Sequence, residues 1–332
     1  MTQQEQMNSD IQQECKAEEN RLKHFPIMMF AIIMGMGGLS ITYEKAGLWL
    51  GFPHIIGQVL TIVTTIIFAI VTFIYILKYI KYPQAVKNEF NHPVRINFFA
   101  AISISMLMLA IMYKETNVNI SMVFWYPAVA LHFFLTMHTI KNWINNNQEL
   151  AHSNPAWFIP IVGNVLVPVG GVGFASTGVL MYFFSVGMFF WLVLFAIILN
   201  RIIFHHQLAV KFMPTLFILI APPAVGFLAY YKLYHELDAF AVFLFNMALF
   251  FTFLIAFMYK NFMKIKYFIS WWAFVFPVAA MAISAMLMYH ITKDPTIMYL
   301  SYIMVGVVTV VISIVIYHTI ININKHEICI QE

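Results

Sequence analysis

Histidine, cysteine and carboxylate side chains are the groups in this chain that could bind a metal ion or transfer a proton. Twelve histidines and two cysteines are present, and Cys15 and Cys329 lie in opposite terminal tails. His205 and His206 are adjacent, so on a helix they would point about 100° apart, and His132 stands alone in an apolar segment. None of these spacings matches a structural or catalytic metal site. The sequence therefore predicts no metal, no cofactor and no enzymatic activity, and it assigns no role to the cysteines.

Charged side chains avoid the interior of the apolar segments. All 18 Lys and Arg and all 14 Asp and Glu fall in the tails or near the ends of apolar segments. Proton-coupled carriers and pumps keep ionisable groups near the middle of the membrane, because proton relays need them. Their absence argues against such a mechanism, but it is compatible with a passive pore whose uncharged wall binds an ion weakly. The phosphate-binding pattern Gly-x-x-x-x-Gly-Lys is also missing, so ATP coupling is not predicted.

The overall composition indicates what kind of fold contains these side chains. Of the 332 residues, 62% are apolar and only 10% are charged, whereas about 25% are charged in an ordinary soluble domain. A soluble fold of this size could not hide so much apolar surface, since more than half of its accessible area would still face water. The composition indicates an all-α integral membrane protein in contact with a lipid bilayer, and it excludes a soluble enzyme or a nucleic-acid-binding protein.

Ten apolar segments are long enough to cross a bilayer, which requires about 20 residues per helix. We number them spans 1 to 10, at residues 25–43, 53–79, 97–113, 119–141, 157–174, 178–200, 213–231, 238–259, 269–290 and 297–320. Residues 25–320 then form one transmembrane domain, flanked by tails at residues 1–24 and 321–332.

Fourteen of the 18 Lys and Arg fall on the side of the N-terminus. The positive-inside rule therefore predicts that both tails are cytoplasmic.

Short turns join spans 1 and 2, 3 and 4, 5 and 6, 7 and 8, and 9 and 10 on the side opposite the termini. The first of these turns is predicted at residues 44–52. Such short connections force neighbouring helices to be antiparallel. The chain is therefore predicted to consist of five helical hairpins.

Glycine and proline are concentrated in the odd-numbered spans. Proline removes a backbone hydrogen bond and kinks a helix, and freed backbone groups are tolerated in a membrane only where protein or water meets them. We therefore predict that the odd spans form a central ring around a pore and that the even spans face lipid. Close helix packing through small residues is the alternative interpretation. The pore-lining candidates in these spans are Gly35, Ser103, Gly163, Asn164, Pro168, Pro222 and Pro223.

Four short motifs occur in order at the predicted odd spans. They are residues 92–99 (HPVRINFF), 162–164 (VGN), 221–224 (APPA) and 271–277 (WWAFVFP). Together they resemble the tellurite-resistance/C4-dicarboxylate transporter family, which includes the plant slow-type guard-cell anion channels. The likeness extends from about residue 25 to residue 320, which is nearly the whole chain.

The resemblance implies both an architecture and a function. The implied protomer has ten transmembrane helices with quasi-fivefold symmetry, and three protomers form a homotrimer with one pore each. The implied function is passive conduction of small monovalent anions, chloride or nitrate, across a bacterial inner membrane. A phenylalanine of span 9 gates the pore, and the matching position is Phe276, beside Pro277. The motif of span 3 adds Phe98 to the pore-lining candidates. The alternative is a secondary transporter that exports C4-dicarboxylate, sulfite or tellurite-type oxyanions.

Several single residues carry two interpretations. Arg95 could anchor the membrane interface or attract anions to the mouth of the pore. Asn164 could serve helix packing or pore polarity. Trp271 and Trp272 are predicted to lie at the membrane interface, and His132 is predicted to form an interhelical hydrogen bond.

Overall fold

The computed structural model of the protein describes residues 21–205 and 207–329, and its regular elements are helices. Cys15, His206 and most of the predicted N-terminal tail lie outside the described residues. Nine helical segments in the described part are long and apolar enough to cross a membrane, and the shorter apolar helix Pro155–Gly171 occupies the position of span 5. The all-α membrane fold is confirmed. In order, the spans are Ile27–Leu50, His54–Lys81, Arg95–Tyr113, Val118–Asn145, Pro155–Gly171, Thr177–Phe204, Val210–Tyr234, Ala239–Phe257, Ile269–Thr292 and Pro295–Asn324.

Span 1 differs most from its predicted bounds. Its helix continues to Leu50, so the predicted turn at residues 44–52 is reduced to residues 51–53. The helix ends at Gly51, which adopts the left-handed conformation with φ 78°, and glycine takes this conformation at little cost. The charged side chains in the extra turns are tolerated because Lys45 lies 3.0 Å from Glu115 and 3.5 Å from Glu44.

Every odd-numbered span begins with a 3₁₀-helical segment and continues as an α-helix. The five segments are Ile27–Met29, Arg95–Phe99, Pro155–Phe158, Val210–Leu219 and Ile269–Phe274. A 3₁₀-helix has three residues per turn and is tighter than an α-helix. The same irregularity at the same end of five helices is a structural repeat, although the five sequences share no evident repeat. We call the side where the odd spans begin the proximal face and the opposite side the distal face.

The five odd spans form a closed ring. Span 1 packs against span 3, span 3 against span 5, span 5 against span 7 and span 7 against span 9, and span 9 packs against span 1. Each even span packs against its own hairpin partner and against the next odd span of the ring. This arrangement of five antiparallel hairpins has the quasi-fivefold pattern that the resemblance implies.

Burial separates the two kinds of helix. In the most apolar part of the long odd spans 72–83% of the residues are buried, compared with 22–39% in the even spans. Span 5 is buried along its whole length from Pro155 to Gly171. The even spans instead expose large apolar side chains such as Phe73, Phe189 and Phe253, as expected for helices that face lipid. The prediction of central odd spans is confirmed.

A buried ion pair fastens the beginning of span 1 at the proximal face. Lys78 Nζ donates to Glu89 Oε2 at 2.7 Å and to the carbonyl oxygen of Phe25 at 2.7 Å. Glu89 also accepts hydrogen bonds from the Tyr75 hydroxyl and from the main-chain N–H of Ile27. Glu89 lies on the short helix Pro83–Phe90, which follows span 2. The pair therefore joins the end of span 2 and this helix to the residues that lead into the ring.

Candidate functional site

Two cavities lie along the axis of the ring. The proximal cavity has a volume of about 50 Å³ and the distal cavity has a volume of about 290 Å³. All five odd spans contribute to both walls, and among the described residues no side chain of an even span lines either cavity. The cavities are therefore a property of the inner ring, and they are the place where a solute could cross the protein.

The wall of the proximal cavity is apolar. It includes the aromatic rings of Phe98, Phe158 and Trp272 and the backbone of Gly163. No charged side chain of the described chain lines it. Its volume suffices for a few water molecules, since one water needs about 10–15 Å³ by the same measure. An ion that enters this space must lose most of its hydration shell.

Three residues line both cavities and mark the division between them. They are Leu166 of span 5, Val225 of span 7 and Phe276 of span 9. Phe276 is the largest of the three. From residue 275 to residue 288 every side chain of span 9 is buried except that of Phe276, and its exposed part faces the cavities.

The position of Phe276 depends on its neighbours in spans 1 and 9. Pro277 follows it and also lines the proximal cavity. Pro277 is the third residue of the α-helical part of span 9, which begins at Val275. The first four N–H groups of an α-helix have no intrahelical acceptor. Proline, which has no N–H group, is therefore tolerated at this position. On span 1, a β-carbon at Gly38 would lie only 2.9 Å from Cβ of Ala279. Glycine therefore permits span 1 to approach span 9 closely beside Phe276.

A third cavity, of about 60 Å³, forms a mouth at the proximal face. Arg95, Lys211 and His92 line it together with Phe98, which also lines the proximal cavity. The structure thus places Arg95 at the start of the axial path. Two basic side chains at this mouth give it a positive potential.

Charged side chains line the distal cavity, which the sequence did not predict. Lys45 and Lys232 lie on its wall together with Glu115. Lys45 Nζ donates to Glu115 Oε1 at 3.0 Å, and Lys232 Nζ donates to the carbonyl oxygen of Val169 at 3.1 Å. Nearby, the ammonium group of Lys114 donates to the carbonyl oxygen of Val172. The expectation of an uncharged wall therefore holds for the proximal cavity and is wrong for the distal one.

These charges could have been found in the sequence by one further step. Lys45, Lys114 and Lys232 all fall at the distal ends of odd spans, namely spans 1, 3 and 7. Once the odd spans are assigned to a ring, their ends must meet around one opening. In the sequence each of these lysines indicates only the side of the membrane, and their convergence follows from the ring.

The remaining pore-lining candidates lie behind the walls of the two cavities. Gly35 faces the ring of Trp272, since a β-carbon there would lie 2.8 Å from it. Ser103 Oγ lies 2.8 Å from His132 Nδ1, which gives His132 its interhelical hydrogen bond. Asn164 donates to Thr136 Oγ1 and to two carbonyl oxygens of its own helix. Pro168, Pro222 and Pro223 are buried in spans 5 and 7.

Trp272 lies inside the ring and not on an outer surface, contrary to its prediction as a residue of the membrane interface. It is buried, it lines the proximal cavity, and its indole N–H donates to Thr319 Oγ1 at 3.1 Å. The indole N–H has a partner on span 10, which removes the usual reason for a tryptophan to remain at the water boundary. Trp271, by contrast, is half-buried, and its indole N–H donates to the carbonyl oxygen of Lys266 at the proximal face.

The family profile of the voltage-dependent anion channels (SLAC1) matches residues 24–320, which include spans 1 to 9, most of span 10 and both cavities. The chain belongs to the SLAC1 family. This confirms the resemblance carried by the four motifs. It also shows that the five-hairpin ring is the part of the chain that the family shares.

Individual proteins from several organisms are similar to this chain. An uncharacterized transporter of Methanocaldococcus jannaschii is 27% identical over 309 residues, which cover 86% of this chain and 90% of the relative. The tellurite resistance protein TehA homolog of Haemophilus influenzae is 26% identical over 278 residues, covering 82% and 84% of the two chains. The S-type anion channel SLAH2 of Arabidopsis thaliana is 28% identical over 269 residues. That match covers 79% of this chain but 52% of SLAH2, so the chain spans about half of the plant protein.

Proposed function

We propose that this protein is a passive channel for small monovalent anions, chloride or nitrate, and that the ring of Phe276 gates it. The observation that carries the proposal is the pair of axial cavities separated at Leu166, Val225 and Phe276. Both ends of the path carry basic side chains, and the apolar part between them has none. Membership of an anion channel and transporter family supports the same conclusion.

The proposed mechanism follows from these walls. Arg95 and Lys211 raise the anion concentration at the proximal mouth. The anion then sheds water to enter the apolar cavity, where no cation holds it tightly, so it can leave again. Phe276 closes the path because its apolar ring fills the division between the cavities and excludes water, and a hydrophobic constriction of this kind blocks ions by dewetting.

A secondary transporter is the competing function, and current recording distinguishes the two. A channel in a planar bilayer should give unitary anion currents that scale with the driving force. Nitrate should permeate better than chloride, because a wall without fixed charge in the proximal cavity selects by the cost of dehydration and nitrate is the more weakly hydrated ion. Reversal potentials with nitrate on one side and chloride on the other measure this ratio. A chloride preference would contradict the proposed selectivity, and a saturating, proton-dependent flux without unitary currents would favour a carrier.

We further propose that the proximal face is cytoplasmic, that the membrane is a bacterial inner membrane and that the protomers form a homotrimer. The orientation is supported by the basic residues of the proximal face, and the trimer by the family resemblance. In this arrangement each protomer retains its own axial path, and anions do not cross between protomers.

The orientation can be tested by labelling exposed distal residues in a background with Cys15 and Cys329 replaced by Ser. Thr116 lies in an exposed distal turn and Thr296 is exposed in the first turn of span 10. Thr116→Cys and Thr296→Cys should therefore react with an impermeant thiol reagent added outside intact cells. Asn88→Cys, which is exposed at the proximal face, serves as the matched control and should react only after the membrane is opened. The reverse pattern would place the proximal face outside.

A further inference from the structure

Five ionisable side chains lie together at the distal end of the ring. They are the three lysines Lys45, Lys114 and Lys232 and the two glutamates Glu44 and Glu115, and Lys45, Lys232 and Glu115 line the distal cavity. They come from the distal ends of spans 1, 3 and 7, so residues about 70 and 120 positions apart in the chain meet around one opening. The basic side chains of this cluster outnumber the acidic ones, and the cluster adjoins a cavity of about 290 Å³.

Lys114 and Lys232 each donate one hydrogen bond to a main-chain carbonyl oxygen, so their ammonium groups have further N–H donors. Both carbonyl oxygens lie near the distal end of span 5. Basic side chains at the C-terminal end of a helix satisfy its last carbonyl groups. An ammonium group has three donors, and Lys232 lies on the cavity wall, so it can bind a second acceptor there.

Lys45 has two acidic neighbours, Glu44 at 3.5 Å and Glu115 at 3.0 Å, and the nearer one is also the more exposed. Glu115 reaches it from the end of span 3, and about half of the Glu115 side chain is exposed, whereas the Lys45 side chain is 10% exposed. The hydrogen bond and the charge of Lys45 hold the pKa of Glu115 below its usual range. Glu115 therefore remains an ionised carboxylate at neutral pH, and it occupies the place beside Lys45 where a soluble anion would bind.

We propose that the distal cavity is a binding site for small inorganic anions, held by Lys45 and Lys232, in which the carboxylate of Glu115 is a built-in competitor. This inference rests on the proposed anion path. An anion that enters the cavity displaces Glu115 from Lys45, and Glu115 returns when the anion leaves. The competitor keeps occupancy low, which suits conduction because an ion that binds too tightly cannot leave.

Binding can be measured without any current, on the purified protein in detergent. The thermal unfolding midpoint is followed as nitrate replaces gluconate at constant ionic strength, since a ligand that binds the folded state raises the midpoint in a saturable way. Glu115→Gln should lower the half-saturating nitrate concentration by about three- to tenfold, because it removes the competing charge, and tenfold corresponds to about 1.4 kcal/mol of binding free energy. Lys232→Met should raise the half-saturating concentration to a similar extent.

Two matched variants control for charge on the same face. Glu236→Gln and Lys293→Met alter exposed distal charges that do not line the cavity, and their half-saturating concentrations should remain near the wild-type value. The proposal is overturned if nitrate has no saturable effect, if Glu115→Gln and Lys232→Met leave the half-saturation unchanged, or if the controls shift it equally. A purely structural role of the lysines would change the midpoint in gluconate but not the half-saturation.

The same variants in planar bilayers separate this inference from the proposed function. If no variant conducts while Glu115→Gln still tightens nitrate binding, the channel proposal fails and the anion site stands. If anion currents flow while both half-saturations stay at the wild-type value, the channel proposal stands and the anion site fails.

Discussion

Replacement of Phe276 by Ala should raise anion conductance by about tenfold or more. The substitution removes the largest of the three side chains that divide the proximal cavity from the distal cavity, and it adds no charge. A tenfold increase in rate requires the barrier to fall by only about 1.4 kcal/mol. The protein should still fold and insert, because Phe276 is only partly buried within a span whose next twelve residues are all buried. Unitary currents in planar bilayers, recorded at equal amounts of incorporated protein, measure the effect.

Two other phenylalanines serve as controls for this substitution. Phe274 lies two residues away on span 9, but its ring packs against Phe217 with centroids 4.6 Å apart and lines neither cavity. Phe274→Ala should lower stability as a core truncation does while the conductance of each intact channel is retained. Phe253 is exposed on the outside of span 8, and Phe253→Ala should change neither property. If the assembled Phe276→Ala protein gives currents of wild-type size, Phe276 is not the gate.

Replacement of Lys78 by Met should lower the free energy of unfolding by about 3–5 kcal/mol, the usual cost of leaving a buried charge without its partner. Glu89 would keep its hydrogen bonds from Tyr75 and Ile27 but would lose the ammonium group at 2.7 Å. The thermal unfolding midpoint of the purified protein in detergent reports the loss.

A double variant shows whether the effect comes from the unpaired carboxylate. Lys78→Met combined with Glu89→Gln leaves no buried charge, so it should recover a large part of the lost stability. Lys81→Met, which removes an exposed lysine one turn further along span 2, should be nearly neutral. If Lys78→Met is no more destabilising than Lys81→Met, the ion pair does not fasten span 1 as described.

The ring could be predicted because its cause is local in the sequence. Helix-breaking residues such as Pro168, Pro222 and Pro277 are costly where a helix faces lipid, so their distribution separates inner spans from outer ones before any contact is known. Span 3 has no interior Gly or Pro, and only the alternation of hairpins assigned it to the ring. The four motifs indicated the family, and two of them contain Phe98 and Phe276, which line the axial cavities.

What could not be predicted depends on pairs of residues far apart in the chain. Lys45 and Glu115 are 70 residues apart, and each occurs in the sequence as an ordinary charge near a turn. Lys78 was counted as one of several basic residues at the proximal face, although its side chain is buried against Glu89. The 3₁₀ beginnings of the odd spans also leave no periodic pattern in the sequence, since apolar residues fill most positions of these segments whatever the period of the helix.

The ring closes between span 1 and span 9, so it cannot be complete until span 9, the last odd span to be synthesised, has joined it. Spans 1, 3, 5 and 7 emerge first, and until span 9 joins them they form four sides of an open trough rather than a passage. The small residues Gly35 and Gly38 on span 1 form the surface against which Trp272 and Ala279 of span 9 pack. The helix that completes the passage is also the helix that carries Phe276. Closing the ring therefore also brings in the side chain that is proposed to block the passage.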